Sequence, residues 1–184
     1  MARTESAMLA LGTFAPDFAL PDVVRGKQIT TQAAKGPKGL LVMFICRHCP
    51  FVKHLEKALA QLGRDYAEKE IGIVAISSND AENYPDDAPE SLAEQARDLG
   101  FTFPYLYDET QDVARAYDAT CTPDFFLFDN SLKLVYRGQF DDSRPGNGIP
   151  IKGKDLHGAI DALLAGKPIS SEQRPSIGCN IKWK

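Results

Sequence analysis

The stretch Gly39-Leu40-Leu41-Val42-Met43-Phe44-Ile45-Cys46-Arg47-His48-Cys49-Pro50-Phe51 decides how this chain is read. Behind the Lys35-Gly36-Pro37-Lys38 turn, the residues from Gly39 to Ile45 run without a polar break, as a strand buried on both faces requires. Phe51, Leu55, Leu59 and Leu62 then recur at helical spacing, which predicts a helix through about Glu70. Pro50 is tolerable only in its first turn, where the missing N–H leaves no intrahelical bond unmade. The two cysteines therefore stand at a strand-to-helix junction.

Upstream, Asp17–Leu20 and Gln28–Thr31 suggest a short hairpin. Downstream, Ile71–Ile76 reads as a second buried strand, Ser77–Pro89 as a polar, acidic, solvated loop, and Pro89–Leu99 as a helix stopped by Gly100. Pro104–Tyr107 suggests a short strand and Thr110–Tyr117 a short helix. Asp124–Phe128 and Lys133–Phe140 read as two strands joined by Asp129–Leu132. A Pro/Gly-rich loop over Asp141–Gly153 leads to a helix at Asp155–Leu164, and the tail Ile169–Lys184 has no clear periodicity. This order predicts an α/β layer architecture: a central mixed β-sheet flanked by helices, an N-terminal β-hairpin and a C-terminal extension. One domain over 1-184 is expected, with a core at about 14-166 and a tail at 167-184.

An apolar content of 43% and a charged content of 25% are ordinary globular values, which exclude a disordered chain and a disulfide-dense miniprotein. The net charge of -4 and the lack of a basic tract argue against nucleic acid or anionic lipid as partner. No run approaches the roughly 18 apolar residues of a membrane span, and no secretory signal is evident, so a cytoplasmic protein is expected. In a reducing compartment, a close cysteine pair is catalytic or metal-binding more often than structural.

A dithiol shuttles between thiol and disulfide only if one sulfur is a good nucleophile near neutral pH, which requires a lowered pKa. A helix start supplies unpaired N–H groups and partial positive charge for that purpose. On this reading Cys46 attacks, Cys49 resolves, and Arg47 and His48 tune the couple towards a more oxidising potential. A structural metal site is less well served, since it needs four ligands and the pair supplies two.

Ala15-Pro16-Asp17-Phe18-Ala19-Leu20, the Cys46–Pro50 segment and Tyr117–Asp129, with Thr122-Pro123 before Phe125-Phe126-Leu127-Phe128, carry a family resemblance. Through nearly its whole length the chain resembles the thioredoxin-like superfamily, in its branch of peroxiredoxins and the AhpC/TSA family. The resemblance implies a thioredoxin-like fold and a cis Thr122-Pro123 loop that faces the dithiol as a substrate shelf. Spacing alone favours a trans bond. It also implies a thiol-disulfide oxidoreductase acting on a protein or small-thiol partner with an external reductant and no cofactor, and leaves room for a homodimer.

Two other activities stay open: a thiol peroxidase with Cys49 as the reactive sulfur, and a copper- or zinc-binding module. The arginine of the peroxidase site is missing at the Thr122-Pro123 position, and Arg137 replaces it only if it points into the site. Cys121 reads equally as a disulfide relay or a packed thiol. Cys179 reads as a resolving thiol or a solitary tail cysteine. His54 and His157 read as helix-surface or satisfied side chains.

Overall fold

The computed structural model describes residues 3–184. In chain order, strands β1 (Arg3–Glu5), β2 (Ala19–Pro21) and β3 (Gln28–Thr30) precede a short helix α1 (Thr31–Ala34) and strand β4 (Gly39–Phe44). Helix α2 (Pro50–Tyr66) and strand β5 (Ile71–Ser77) follow, then a 3-10 turn at Pro85–Asp87, helix α3 (Pro89–Leu99), strand β6 (Tyr105–Tyr107) and helix α4 (Asp112–Ala116). The chain closes with β7 (Cys121–Thr122), β8 (Asp124–Asp129), β9 (Leu134–Gly138), α5 (Lys154–Leu164) and β10 (Ile177–Asn180).

Five strands form the central sheet in the order β6-β5-β4-β8-β9. β4 pairs parallel with β5 and antiparallel with β8, so the sheet is mixed and β4 lies at its centre. Every residue of β4 is buried, as its unbroken apolar run requires. Alternate side chains feed separate cores. Leu41 and Met43 join Leu55, Leu59 and Leu62 of α2, with Leu92 and Ile160 of the other helices on that face. Leu40, Val42 and Phe44 point the other way, to Phe18, Tyr117 and Ile181. Burying each of the α2 leucines is worth about 1.5–3 kcal/mol, which fixes the rotation of α2 and with it the direction of its first turn.

The hairpin expected near the N-terminus is β2 paired with β3. α2 stops at Tyr66, a turn earlier than the spacing predicts. The sequence Ala67–Glu70 instead makes a tight exit, held by Lys69 N–H to Tyr66 O at 3.0 Å and Lys38 N–H to Glu70 O at 2.8 Å. A further departure concerns the tail. It is not patternless: β10 lies between β1 and β7 in a separate antiparallel sheet, with Cys179 opposite both Arg3 and Thr122. Gly178 makes that pairing fit. A Cβ there would stand 1.8 Å from the Thr122 carbonyl oxygen.

Candidate active site

The site is assembled where β4 runs out. The Ile45 N–H still reaches Ile76 O at 3.0 Å, so the chain leaves the sheet at Cys46. The N–H groups of Arg47 and His48 both donate to Asp87 Oδ1, at 2.7 and 3.2 Å, and this bend delivers Cys49 to the N-cap of α2 with Pro50 in the first turn. Opposite lies Thr122-Pro123, whose peptide bond is cis, as the resemblance implies. Thr122 meets both sulfurs: its Oγ1 is 3.4 Å from Cys46 Sγ, and its carbonyl oxygen is 3.4 Å from Cys49 Sγ. All four cysteines are free and buried.

The surroundings of the two sulfurs differ. Helix α2 begins after Cys49, not at Cys46, so Cys49 is the sulfur next to the free N–H groups. No side-chain capping bond of ordinary length closes that end, yet the Val52 N–H lies near enough to favour a charged sulfur. The largest influence is the hydrogen bond from the Cys46 thiol, which, with a smaller one from Cys179 and against the cost of burial, holds the Cys49 pKa down to about 5. Cys46 moves the opposite way: burial, its bond to Cys49 and the nearby Asp87 carboxylate push its thiol well above the ordinary range. Both shifts point the same way: charge is favoured on Cys49 and disfavoured on Cys46. Cys46, the sulfur expected from the sequence to be activated, stands three residues ahead of the N-cap and is disfavoured as an anion by burial and by its bond to Cys49.

Arg47 and His48 lie between the cysteines, but each is met by an acid. The Arg47 guanidinium donates to Glu94 at 2.6 Å and to Ser91 O at 2.9 Å. The His48 ring pairs through Nδ1 with Asp87 Oδ2 and stacks on Tyr84 at 5.4 Å, while its buried Nε2 has no partner among the described residues. The Arg47 guanidinium and the His48 ring are thus each engaged by a carboxylate rather than directed at the sulfurs.

Asp87 is the residue that the sequence reading missed. It lies in the stretch taken as a solvated loop, yet it is buried and receives Arg47 N–H, His48 N–H, the His48 ring and Asn79 Nδ2. Burial opposes its charge, but the His48 and Asn79 bonds keep its pKa below the usual value. Nothing in the spacing of polar residues over Ser77–Pro89 distinguishes it from its exposed neighbours.

Cys46, His48 and Asp87 present ligand atoms within 4.8 Å of one another, a geometry that could hold a metal ion. Both Asp87 oxygens, however, are already taken by two donors each, and those bonds hold the cysteine turn in shape. The remaining candidates separate cleanly. Cys179 Sγ is 2.6 Å from Cys49 Sγ. Cys121 instead donates to Pro123 O at 3.8 Å, and no sulfur is its partner among the described residues. Arg137 is directed away, to Leu9 O at 2.8 Å and Gln173 Oε1 at 2.9 Å. His54 bonds Ser143 at 2.8 Å and His157 bonds Tyr66 at 3.0 Å, both as satisfied side chains.

A model described as the AhpC/TSA family matches residues 11–137. Among characterised proteins, the chain is 28% identical over 137 residues to the thiol-disulfide oxidoreductase ResA of Geobacillus kaustophilus, covering 73% of this chain and 74% of that protein. A crystal structure of an uncharacterized conserved protein from Geobacillus kaustophilus is 55% identical, with a TM-score of 0.98 over 100% of this chain and 97% of that one. A putative thiol:disulfide interchange protein DsbE from Chlorobium tepidum is 22% identical, with a TM-score of 0.66 over 85% and 99% of the two chains, and it shares the thioredoxin-like fold.

Proposed function

Because the chain belongs to the AhpC/TSA family, we propose that it is a thiol-disulfide oxidoreductase whose working pair is Cys46 and Cys49. The observation that carries this reading is the geometry: Cys49 caps α2 three residues after Cys46, and Thr122 of the cis-proline loop meets both sulfurs at 3.4 Å, while the surroundings favour charge on Cys49. A disulfide R–S–S–R′ is attacked by the Cys49 thiolate, which bonds to one sulfur while the other leaves as a thiolate. The Cys46 thiol passes its proton to that leaving group, attacks Cys49 Sγ and expels the second thiolate. Two electrons move from the pair to the substrate, and the reverse sequence oxidises a partner's thiols. Thr122, in contact with both sulfurs, is the positioning residue that holds them in line. A protein or low-molecular-weight thiol is the partner class, and a cytoplasmic setting with an external reductant belongs to the same proposal. No described helix is long and apolar enough to cross a membrane.

Peroxide would also meet the Cys49 thiolate. Arg137, the candidate named from the sequence for polarising a peroxide there, is committed to Leu9 and Gln173, so disulfide exchange is the better-supported chemistry. The test is to mix the reduced protein with oxidised glutathione and count reduced glutathione released. The reading requires two equivalents and, in Cys179→Ser, a Cys46–Cys49 disulfide in the product. No release, or release undiminished in Cys49→Ser, would sink it.

A further inference from the structure

The sequence leaves Cys179 between a resolving thiol and a solitary tail cysteine. Its sulfur lies 2.6 Å from Cys49 Sγ, and a sulfur–sulfur bond needs about 2.05 Å, so closure asks for about half an ångström of movement. The encounter is held from several sides. β10 is paired with β1 along one edge and β7 along the other, and Gly178 lets its backbone press against Thr122 O. Beyond the strand, Ile181 N–H donates to Thr120 O at 3.1 Å, Lys182 N–H to Asn79 Oδ1 at 2.9 Å, and Gln111 Nε2 to Lys182 O at 2.8 Å. Cys49 thus has two thiol neighbours: Cys46 from its own turn, and Cys179 from a strand more than a hundred residues away in sequence.

We infer that Cys179 is a third redox thiol of this site, and that the disulfide on Cys49 passes between Cys46 and Cys179. The inference rests on the proposed function for Cys49 as the exchanging sulfur. Starting from the Cys46–Cys49 disulfide, Cys179 gives up its proton and its thiolate attacks Cys49 Sγ. The Cys49–Cys179 bond forms, the Cys46–Cys49 bond breaks, and Cys46 leaves as a thiolate that takes up the proton. No electron enters or leaves, so no co-reactant is needed. The exchange carries the oxidised state from the α2 turn onto the C-terminal strand.

The test oxidises full-length Cys46→Ser with diamide, a small oxidant that takes two electrons and two protons from a thiol pair, and maps cysteines in peptides cut without reduction. The expected result is near-complete joining of the Cys49 and Cys179 peptides in monomeric protein, absent from Cys46→Ser/Cys179→Ser. Cys179 remaining free and alkylatable in Cys46→Ser after oxidation would overturn the inference, as would a bond formed only between two chains. Cys46→Ala, which keeps the turn but adds no hydroxyl, must give the same joining. Failure of the proposed function reads out separately, because the Cys46–Cys49 bond in Cys179→Ser tests that dithiol alone.

Discussion

Cys46 and Cys49 are three residues apart, and the difference between them follows from the hydrogen bond that Cys46 gives Cys49, from the deeper burial of Cys46 and from where α2 begins. The sequence showed that a proline follows the second cysteine, and a proline in the first turn places the preceding residue at the cap. That signal points to Cys49 as the residue at the cap. The thiolate absorbance of the reduced protein should titrate with a midpoint near 5 and vanish from that range in Cys49→Ser. The neighbouring carboxylate should matter too. Asp87→Asn removes a negative charge that disfavours ionisation of Cys46, so the Cys46 pKa should fall, as thiolate absorbance in the Cys49→Ser background would record. The same change disturbs four hydrogen bonds to a buried group, for an expected loss of about 1–3 kcal/mol in denaturant unfolding. Asp87 was illegible in the sequence because a buried carboxylate and a solvated one look alike until the fold supplies their partners.

Elements with strong local signals were readable. β4 and β5 show as apolar runs, α2 and α3 as helical spacing ending near a stop, and β8 and β9 as strands around a turn. β10 had no such signal. Ile177-Gly178-Cys179-Asn180 offers one strongly strand-forming residue and no alternation, and its partners at Arg3–Glu5 and Cys121–Thr122 are distant in sequence. Non-local pairing of this kind leaves no trace in a window of neighbouring residues. The strand's position is nevertheless sharply determined by Gly178. Gly178→Val should force β10 away from Thr122 O, and amide hydrogen exchange should show lost protection at Cys179 and in β1 while α2 remains protected. Unchanged protection of β10 in that variant would mean the close approach is not what seats the strand.

At the scale of the molecule, two buried groups make stability depend on pH in opposite directions. The Cys49 pKa falls on folding from 9.0 to about 5, so its contribution is complete above the unfolded value and is lost as pH drops through the folded one. Asp124, enclosed at the head of β8 with Oδ2 unpartnered among the described residues, rises from 3.8 to about 8 by burial. Its contribution is complete below 3.8 and is lost as pH climbs through 8. Between about 5 and 8 the two slopes oppose one another. Asp124→Asn should therefore unmask the Cys49 slope, so that urea unfolding shows stability rising with pH across that window more steeply than in the unaltered chain. The mixed sheet and its flanking helices were legible as a whole because element order is written in the periodicities; the closure of the tail over the cysteine pair was not. What the fold finally bears on is the couple itself. A thiolate stabilised in the reduced state raises the reduction potential, so equilibration in glutathione buffers with disulfide mapping is the most direct measurement. The account predicts a reversible couple at Cys49, with Cys46 as partner in Cys179→Ser, poised above the about −270 mV of thioredoxin. Thiols that stay reduced in fully oxidised glutathione, or a disulfide that leaves out Cys49, would contradict it.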